Sequence, residues 1–277
     1  MSKIHFSVLL SVYSKEQGHF FDAALDSILI HQTRKPDELV LICDGPLTEE
    51  LDAVVEKYTV LFPDIVKVYR LETNQGLGAA LNYGLSKSSY EWIARADSDD
   101  ICVENRFETQ IAYLQEHPEI DIVSGYIEEF RENPQTPERL KTLPTQHSDI
   151  AKMAKKRNPI NHMAVMFRKA AIMDAGSYLP LPYVEDYYLW VRAIAHGAKL
   201  ANIGQILVHV RIGNGMEARR GNTQQIAGWY VINCFMLQHC MVNYFSFFVN
   251  MISICIFVYT PAKFKSLLYK FFLRRSI

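Results

Sequence analysis

Apolar runs alternate with amphipathic segments along the first half of the chain. Residues 6–13, 38–43 and 66–71 are rich in apolar residues and end near turn-forming positions, which predicts buried strands. Between the first two, residues 20–31 carry apolar side chains at helical spacing. Thr48 is a good helix cap before a segment with acidic residues in its first turn. Strands that alternate with helices predict an α/β fold with a mostly parallel, helix-covered sheet.

The same alternation continues further along the chain. Residues 92–96 form a fourth predicted strand, a helix is expected over about 105–116, and residues 120–127 form a fifth strand. Residues 134–144 are polar and contain prolines. We interpret them as the connection between two halves of a domain.

The charge of the chain is unevenly distributed. The net charge of −1 at pH 7 combines 29 basic and 30 acidic residues. No acidic residue follows Glu217, and the basic residues beyond it are Arg219, Arg220, Lys263, Lys265, Lys270, Arg274 and Arg275. The tail therefore predicts an anionic surface as partner, and its bulky apolar residues favour a membrane over nucleic acid.

A long uncharged segment precedes this tail. Residues 221–262 contain no Asp, Glu, Lys or Arg, and residues 241–260 are strongly apolar. As a helix this stretch would be about 30 Å long, just enough to span a bilayer. Asn243 and Asn250 weaken a spanning interpretation. We expect the segment to lie in or dip into a membrane leaflet, with the basic tail on anionic headgroups, and a buried helix of the domain is the alternative.

Cysteine usage and the N-terminus suggest a cytoplasmic setting. The five cysteines are scattered and form no C-x-x-C pair, which is typical of reduced thiols and not of a disulfide framework or a zinc site. The first apolar run is too short for a signal peptide.

An acidic cluster follows the fourth predicted strand. Its sequence is Asp97-Ser98-Asp99-Asp100. Ligands bind at the carboxyl ends of strands in open α/β sheets, and crowded carboxylates are costly without a cation. Hard ions such as Mg²⁺ and Mn²⁺ prefer oxygen ligands. The cluster therefore predicts a divalent metal site, and a solvated acidic turn is the alternative.

Two other strand ends carry candidate ligand-binding residues. Asp44, before Gly45, could accept hydrogen bonds from a nucleotide base or ribose, or could belong to an ordinary turn. The loop from Asn74 to Gly78 contains glycines that let the backbone approach a ligand at a helix N-terminus, or that form a simple turn. Neither segment matches the dinucleotide or P-loop signature.

Later segments supply a candidate base and a candidate anion clamp. Glu185 and Asp186 open an aromatic segment, where desolvation would raise the pKa of a general base, although the pair could simply start a helix. Arg192, two helical turns further on, could balance this charge. Arg219 and Arg220 lie among glycines, as in a mobile diphosphate clamp or a basic surface loop. His209 is a further candidate metal ligand, because carboxylates with one imidazole suit Mn²⁺.

The ordered set of motifs over residues 5–222 resembles the family 2 glycosyltransferases of the GT-A fold. Within that family it is similar to the bacterial O-antigen and exopolysaccharide enzymes of the amylovoran type. The motifs are Tyr13, Asp44-Gly45, Asn74-x-Gly76, Asp97-x-Asp99-Asp100, Glu185-Asp186 and Arg219-Arg220. The Q-x-x-R-W element of processive synthases is absent, so we expect one sugar per acceptor.

The resemblance implies an inverting, metal-dependent transfer of a hexose from a UDP-sugar to a polyprenyl-diphosphate-linked saccharide. On the donor side, Tyr13 and Asp44 would contact the uracil, Asp97 the ribose region, and Asp99 a bound Mn²⁺ or Mg²⁺. The loop of Asn74 and Gly76 would approach the donor. Because Asp100 directly follows Asp99, the resemblance leaves open which of the carboxylates contacts the metal.

On the acceptor side, the resemblance implies that Asp186, supported by Glu185, takes the proton from the acceptor hydroxyl. Arg219 and Arg220 would close on the diphosphate. We expect a catalytic domain at 1–222, divided into a nucleotide-binding half at about 1–130 and an acceptor-binding half at 145–222. Residues 223–277 would form a membrane-associating helical region on the cytoplasmic face of the inner membrane. A sugar nucleotidyltransferase and an inactive membrane-attached scaffold are the alternatives.

Overall fold

The computed structural model describes residues 4–213 and 224–260 and the short strand at residues 275–276. Four parallel strands form its first part, in the spatial order β3-β2-β1-β4. They are β1 (Phe6–Val12), β2 (Glu38–Cys43), β3 (Val66–Arg70) and β4 (Trp92–Ala96). The predicted strands are therefore confirmed, and so is their parallel arrangement.

Three helices connect these strands. They are α1 (Gly18–Leu29), α2 (Glu49–Leu61) and α3 (Leu77–Lys87). The backbone N–H of Leu51 donates to Oγ1 of Thr48 at 3.4 Å, which confirms the predicted cap of α2. Helices α1 and α2 pack on one face of the sheet and α3 packs on the other, so that both faces are buried.

The remaining strands extend the sheet from β4 with mixed directions. They are β5 (Ile101–Cys102), β6 (Ile122–Phe130), β7 (Arg139–Lys141), β8 (Met166–Arg168), β9 (Leu200–Arg211) and β10 (Arg275–Ser276). Strand β8 lies antiparallel between β4 and β6, whereas β9 runs parallel to β6 over nine residue pairs. The antiparallel pairings are only two or three residues long. The longer pairings are parallel, as predicted.

One sequence interpretation needs adjustment in this part. The connection at 134–144 contains β7, which pairs with the end of β6. Further along the chain, a 3₁₀ turn, His162–Ala164, precedes the short β8. Helices α4 (Arg106–Glu116), α5 (His147–Ala154), α6 (Lys169–Asp174) and α7 (Glu185–Ala195) complete this part.

Helix α3 lies unusually close to the sheet at Gly84. A Cβ atom added there would lie 2.3 Å from Cδ1 of Leu9 and 3.0 Å from Cγ1 of Ile42. Glycine therefore allows the helix backbone to touch side chains of β1 and β2 directly.

The last two helices are α8 (Gln224–Gln238) and α9 (Tyr244–Tyr259). Nδ2 of Asn250 on α9 donates to Oδ1 of Asn233 at 2.8 Å and to the carbonyl of Lys155 at 2.7 Å. These hydrogen bonds fix α9 both to α8 and to the chain after α5. Across the parts of the chain that the structure describes, no helix is long and apolar enough to cross a membrane.

The outer face of α9 remains apolar and exposed. Its exposed side chains recur at helical spacing and include Tyr244, Phe245, Phe248, Ile252, Ile256 and Tyr259. The opposite face buries Asn250, Ile254 and Val258 against the domain. Helix α9 is therefore neither fully buried nor free of the domain.

Candidate active site

The carboxyl ends of β1, β2 and β4 lie side by side, because β1 pairs in parallel with both other strands. Tyr13, Asp44 and Asp97 directly follow these strands. Tyr13 is 37% exposed. The structure thus brings three predicted donor-site residues to one edge, as the parallel sheet requires.

Asp44 organises a loop as well as lying at this edge. Its carboxylate oxygens accept hydrogen bonds from the backbone N–H groups of Gln75 at 2.8 Å and Gly76 at 3.0 Å. Nδ2 of Asn74 donates to the carbonyl of Asp44 at 3.2 Å. Gly45 has φ +88°, and a Cβ there would lie 2.7 Å from the nitrogen of Asn74. Asp44 therefore holds the predicted donor loop, a role that the sequence pattern did not reveal.

The acidic cluster forms the turn between β4 and β5. Nη2 of Arg95 is ion-paired with Oδ1 of Asp97. Oγ of Ser98 donates to Oε2 of Glu16 at 2.8 Å, which brings a further carboxylate beside the turn. Burial, and then the charges of Asp97 and Glu16, raise the pKa of Asp99 to about 7. Negative charge is thus concentrated around Asp99.

Asp100 has a structural partner on β9. Its Oδ1 accepts the backbone N–H of Arg211 at 2.9 Å, and Nε of Arg211 donates to the carbonyl of Asp99 at 3.3 Å. The guanidinium of Arg211 lies 3.8 Å from the ring centroid of Phe20. Burial, and then the charge of Asp99, raise the pKa of Asp100 well above its ordinary value. These contacts favour Asp97 and Asp99 over Asp100 as metal ligands.

The donor set of the cluster fits a hard divalent cation. Within residues 4–213 and 224–260, no three His, Cys, Asp or Glu side chains are arranged to hold a metal by themselves. Mg²⁺ usually takes only one or two carboxylates, and substrate phosphates and water complete its shell. Asp97 and Asp99 supply that number. Burial and the charges of Asp97 and Glu16 raise the pKa of Asp99 by more than the charge of Arg95 lowers it.

His209 lies on β9 beside Glu128 of β6. Its Nδ1 is 3.2 Å from Oε2 of Glu128, and burial lowers the pKa of the imidazole. The hydrogen bonds and ion pairs found among the described residues do not join His209 to Asp97 or Asp99. Its assignment as a metal ligand stays a prediction.

The second acidic site opens α7, as expected. Oδ2 of Asp186 accepts Nδ2 of Asn158 at 2.6 Å, and Oδ1 accepts the backbone N–H of Tyr187 at 2.7 Å. Burial raises the pKa of Asp186, and these two hydrogen bonds oppose the rise. Burial, and then the charge of Asp186, also raise the pKa of Glu185, whose Oε2 is buried without a hydrogen-bond partner. Two hydrogen bonds therefore fix the orientation of the Asp186 carboxylate.

Arg192 does not balance this acidic pair, and that expectation is wrong. Its guanidinium donates to the carbonyls of Ala175 and Ser177 and lies 4.6 Å from the ring centroid of Tyr188. Two turns along α7, the side chain faces the loop after α6. It holds that loop to the helix.

Arg95 is a site residue that the sequence analysis missed, as it also missed Glu16. Its side chain is 2% exposed, and Nε and Nη1 are buried without a hydrogen-bond partner. Its charge lowers the pKa values of Asp99 and Asp186, so it is close to both acidic sites. The sequence feature that could have indicated its role is that Arg95 is a single charged residue in an apolar strand, two residues before Asp97.

Next to Arg95 lies a neutral hydrogen-bonded pair. Nε2 of His162 is 2.8 Å from the hydroxyl oxygen of Tyr178. Burial, and then the charge of Arg95, lower the pKa of His162 well below its ordinary value. His162 is therefore a neutral partner of Tyr178 at neutral pH. Arg219 and Arg220 lie outside the described residues.

The family of the chain follows from a match to a family model. Residues 7–172 match the model described as glycosyl transferase family 2. This range begins within β1, ends within α6 and includes the whole acidic cluster. The chain belongs to glycosyl transferase family 2. It is therefore an enzyme of the glycosyltransferase class, as predicted.

Two similar proteins narrow the resemblance within this family. The amylovoran biosynthesis glycosyltransferase AmsE of Erwinia amylovora is 44% identical over 215 residues, or 78% of this chain and 79% of that protein. A UDP-Gal:alpha-D-GlcNAc-diphosphoundecaprenol beta-1,3-galactosyltransferase of Escherichia coli is 36% identical over 272 residues, or 98% of each chain. The predicted similarity to bacterial polysaccharide enzymes is thus confirmed.

A solved structure supports the fold. The crystal structure of S. aureus TarS 1-349 in complex with UDP-GlcNAc matches with a TM-score of 0.69 at 18% identity. The match covers 97% of this chain and 77% of that one. This family 2 glycosyltransferase therefore has the predicted GT-A-like α/β fold.

Proposed function

We propose that this family 2 glycosyltransferase transfers a single hexose, with inversion, from a UDP-sugar to a polyprenyl-diphosphate-linked saccharide. The product would enter a bacterial surface polysaccharide. The observation that carries the proposal is the pair of acidic sites beside Arg95. One site crowds the carboxylates of Asp97 and Asp99 together, and the other holds the carboxylate of Asp186 by hydrogen bonds. The named activity of the E. coli relative supports galactose as the first donor to test.

On the donor side, Tyr13 and the loop held by Asp44 would bind the nucleotide, and Asp97 and Asp99 would hold Mn²⁺ or Mg²⁺. A divalent metal is typical of enzymes with this fold. When bound, the metal would neutralise negative charge on the diphosphate leaving group. Arg219 and Arg220 would add positive charge there, and His209 remains a candidate for the metal shell.

On the acceptor side, Asp186 would remove the proton from the attacking hydroxyl. The hydroxyl oxygen would form a bond to the anomeric carbon while the bond from that carbon to the diphosphate oxygen breaks and UDP leaves. Asn158 orients the carboxylate of Asp186 through its 2.6 Å hydrogen bond. The buried charge of Arg95 favours the ionised form that the step needs. Glu185 would support the base electrostatically.

We also propose a peripheral or monotopic position on the cytoplasmic face of the inner membrane. The exposed apolar face of α9 supports this position, because it presents aromatic side chains at helical spacing. The basic residues at 263–275, which lie outside the described residues except for the strand at 275–276, would contact anionic headgroups.

The test is an assay with purified enzyme, a panel of UDP-sugars, Mn²⁺ and a GlcNAc-diphosphate-lipid analogue. We expect UDP release coupled to the addition of one hexose, seen as a mass gain of roughly 162 in the acceptor. EDTA should stop both by removing the metal. A β-linked product from an α-linked donor would establish inversion. Transfer that persists in EDTA would contradict metal dependence, and repeated addition would contradict single transfer.

A further inference from the structure

A groove beside α9 combines positive charge with apolar walls. It has a volume of about 750 Å³ and lies between the chain after α5 and the segment that joins α8 to α9. Lys155 and Lys156 line one side, and Leu237, Met241, Phe245 and Val249 are among the apolar residues opposite. Among the residues that the structure describes, no acidic side chain lines the groove. Its chemistry therefore suits an amphiphile with an anionic head.

The two lysines have exposed side chains at the C-terminal end of α5. Lys152, one turn earlier, is instead ion-paired with Asp149 at 2.8 Å. The N-terminal turn of α9 also lines the groove, and the positive end of its helix dipole favours an anion there.

The groove is connected to the catalytic site through a short piece of chain. Asn250 of α9 holds the carbonyl of Lys155 at 2.7 Å, so the two walls are fixed to each other. Three residues after Lys155, Asn158 donates to the candidate base Asp186 at 2.6 Å. Three residues span at most about 10 Å. A head group in the groove would therefore lie close to the acceptor side of the active site.

We infer that this groove binds the lipid diphosphate of the acceptor, with the diphosphate at Lys155 and Lys156 and the start of the lipid chain along the apolar wall. The inference rests on the proposed function, because it assigns a binding site to the proposed acceptor. The exposed apolar face of α9 continues from the same wall through Phe245 and Val249. A lipid chain leaving the groove would therefore follow a surface that excludes water.

The first experiment measures binding without any sugar transfer. Undecyl diphosphate and methyl diphosphate are titrated into the detergent-solubilised full chain. The double substitution Lys155→Glu/Lys156→Glu should weaken the binding of both probes at least about tenfold, because it reverses two charges. Phe245→Ser should weaken only undecyl diphosphate, because its exposed ring contacts the lipid part. The control Lys35→Glu/Lys67→Glu reverses two exposed lysines of the first half of the chain and should keep wild-type affinity.

The second experiment measures selectivity among acceptors. The ratio of kcat/KM for a GlcNAc-diphosphate-lipid to that for a GlcNAc-lipid without diphosphate should fall at least about tenfold in Lys155→Glu/Lys156→Glu. Far-UV circular dichroism and the Tm verify that each variant is folded.

The outcomes separate this inference from the proposed function. If the wild type binds neither probe, or if both double variants bind equally well, the groove assignment is wrong. If Lys155→Glu/Lys156→Glu loses binding to phosphatidylglycerol vesicles but keeps both probes, the groove serves phospholipid and the inference is overturned. Specific probe binding without any hexose transfer would instead contradict the proposed function.

Discussion

The two acidic sites beside Arg95 are both partly buried, yet their carboxylates have different surroundings. Around Asp99, burial and the charges of Asp97 and Glu16 act together, and the pKa rises to about 7. Around Asp186, hydrogen bonds from Asn158 and Tyr187 oppose the effect of burial. The first site retains repulsion between carboxylates, whereas hydrogen bonds partly stabilise the ionised carboxylate of the second. The same functional group thus occupies two different electrostatic settings, which suit the two proposed roles.

The largest effect should come from removing the base. Asp186→Asn keeps the shape of the side chain but cannot accept the hydroxyl proton, so we expect turnover to fall about 10³-fold, within the usual range for general-base catalysis. UDP binding in Mn²⁺ should stay near the wild-type value. Steady-state kinetics and calorimetric titration with UDP measure the two quantities. Near-normal turnover would refute the assignment of Asp186.

The next largest effect concerns the carboxylates around the metal. Asp99→Asn should weaken Mn²⁺-dependent UDP binding about 100-fold, a loss typical for one strong electrostatic contact. Asp100→Asn is the matched control, since Asp100 already accepts a backbone hydrogen bond from Arg211 and its burial favours a neutral side chain. Calorimetry with and without EDTA compares the two variants. A larger loss of UDP affinity in Asp100→Asn than in Asp99→Asn would assign the metal to Asp100 instead of Asp99.

Arg95→Met tests the charge that both sites share. Without this cation, Mn²⁺ should bind the free enzyme more tightly, whereas the pKa of Asp186 should rise further. Activity at low pH should fall about tenfold for each unit by which that pKa increases. Manganese titration and a pH–rate profile follow the two sites separately. Effects in the same direction at both sites would show that Arg95 serves mainly to hold the fold, and Arg95→Lys should restore part of each property.

The smallest effect should come from Asn158→Leu, which removes one hydrogen bond from Asp186. That hydrogen bond lowers the pKa of Asp186, so its loss should raise the pKa. A base acts when deprotonated, and activity is lost as the pH falls through its pKa. The acid limb of kcat/KM should therefore shift to higher pH by a fraction of a pH unit, as expected for the loss of one hydrogen bond (about 1 kcal/mol). If the acid limb of the kcat/KM profile stayed unchanged, Asn158 would not influence the pKa of the catalytic base.

Much of the fold was predictable because local patterns determine it. Apolar runs separated by amphipathic helices predicted β1 to β4, and the parallel order then brought Tyr13, Asp44 and Asp97 together. The insertion of β8 was not predictable, since three residues carry little periodicity and their pairing depends on distant strands. The one-sided burial of α9 was equally hidden, because that helix is apolar on nearly every face.

The site was predictable in its residue types but less so in its contacts. Asp99 and Asp186 stood out as acidic groups next to apolar segments. The hydrogen bonds of Asp44 to Gln75 and Gly76 depend on how close two loops lie, which no sequence spacing fixes. Arg95 was overlooked because its importance comes from complete burial, and burial is a property of the folded chain.

The contact at Gly84 limits how the donor side can change during evolution. Because the backbone of α3 already touches Leu9 and Ile42, the helix cannot move toward the sheet, and larger side chains would push it outward. The loop that precedes α3 would then lose its hydrogen bonds to Asp44. Enlarging the core in this half would therefore disturb the loop of the proposed donor site before it improved stability. Changes in donor preference should accumulate in the loops at the sheet edge, while the layer beneath them stays nearly constant in volume.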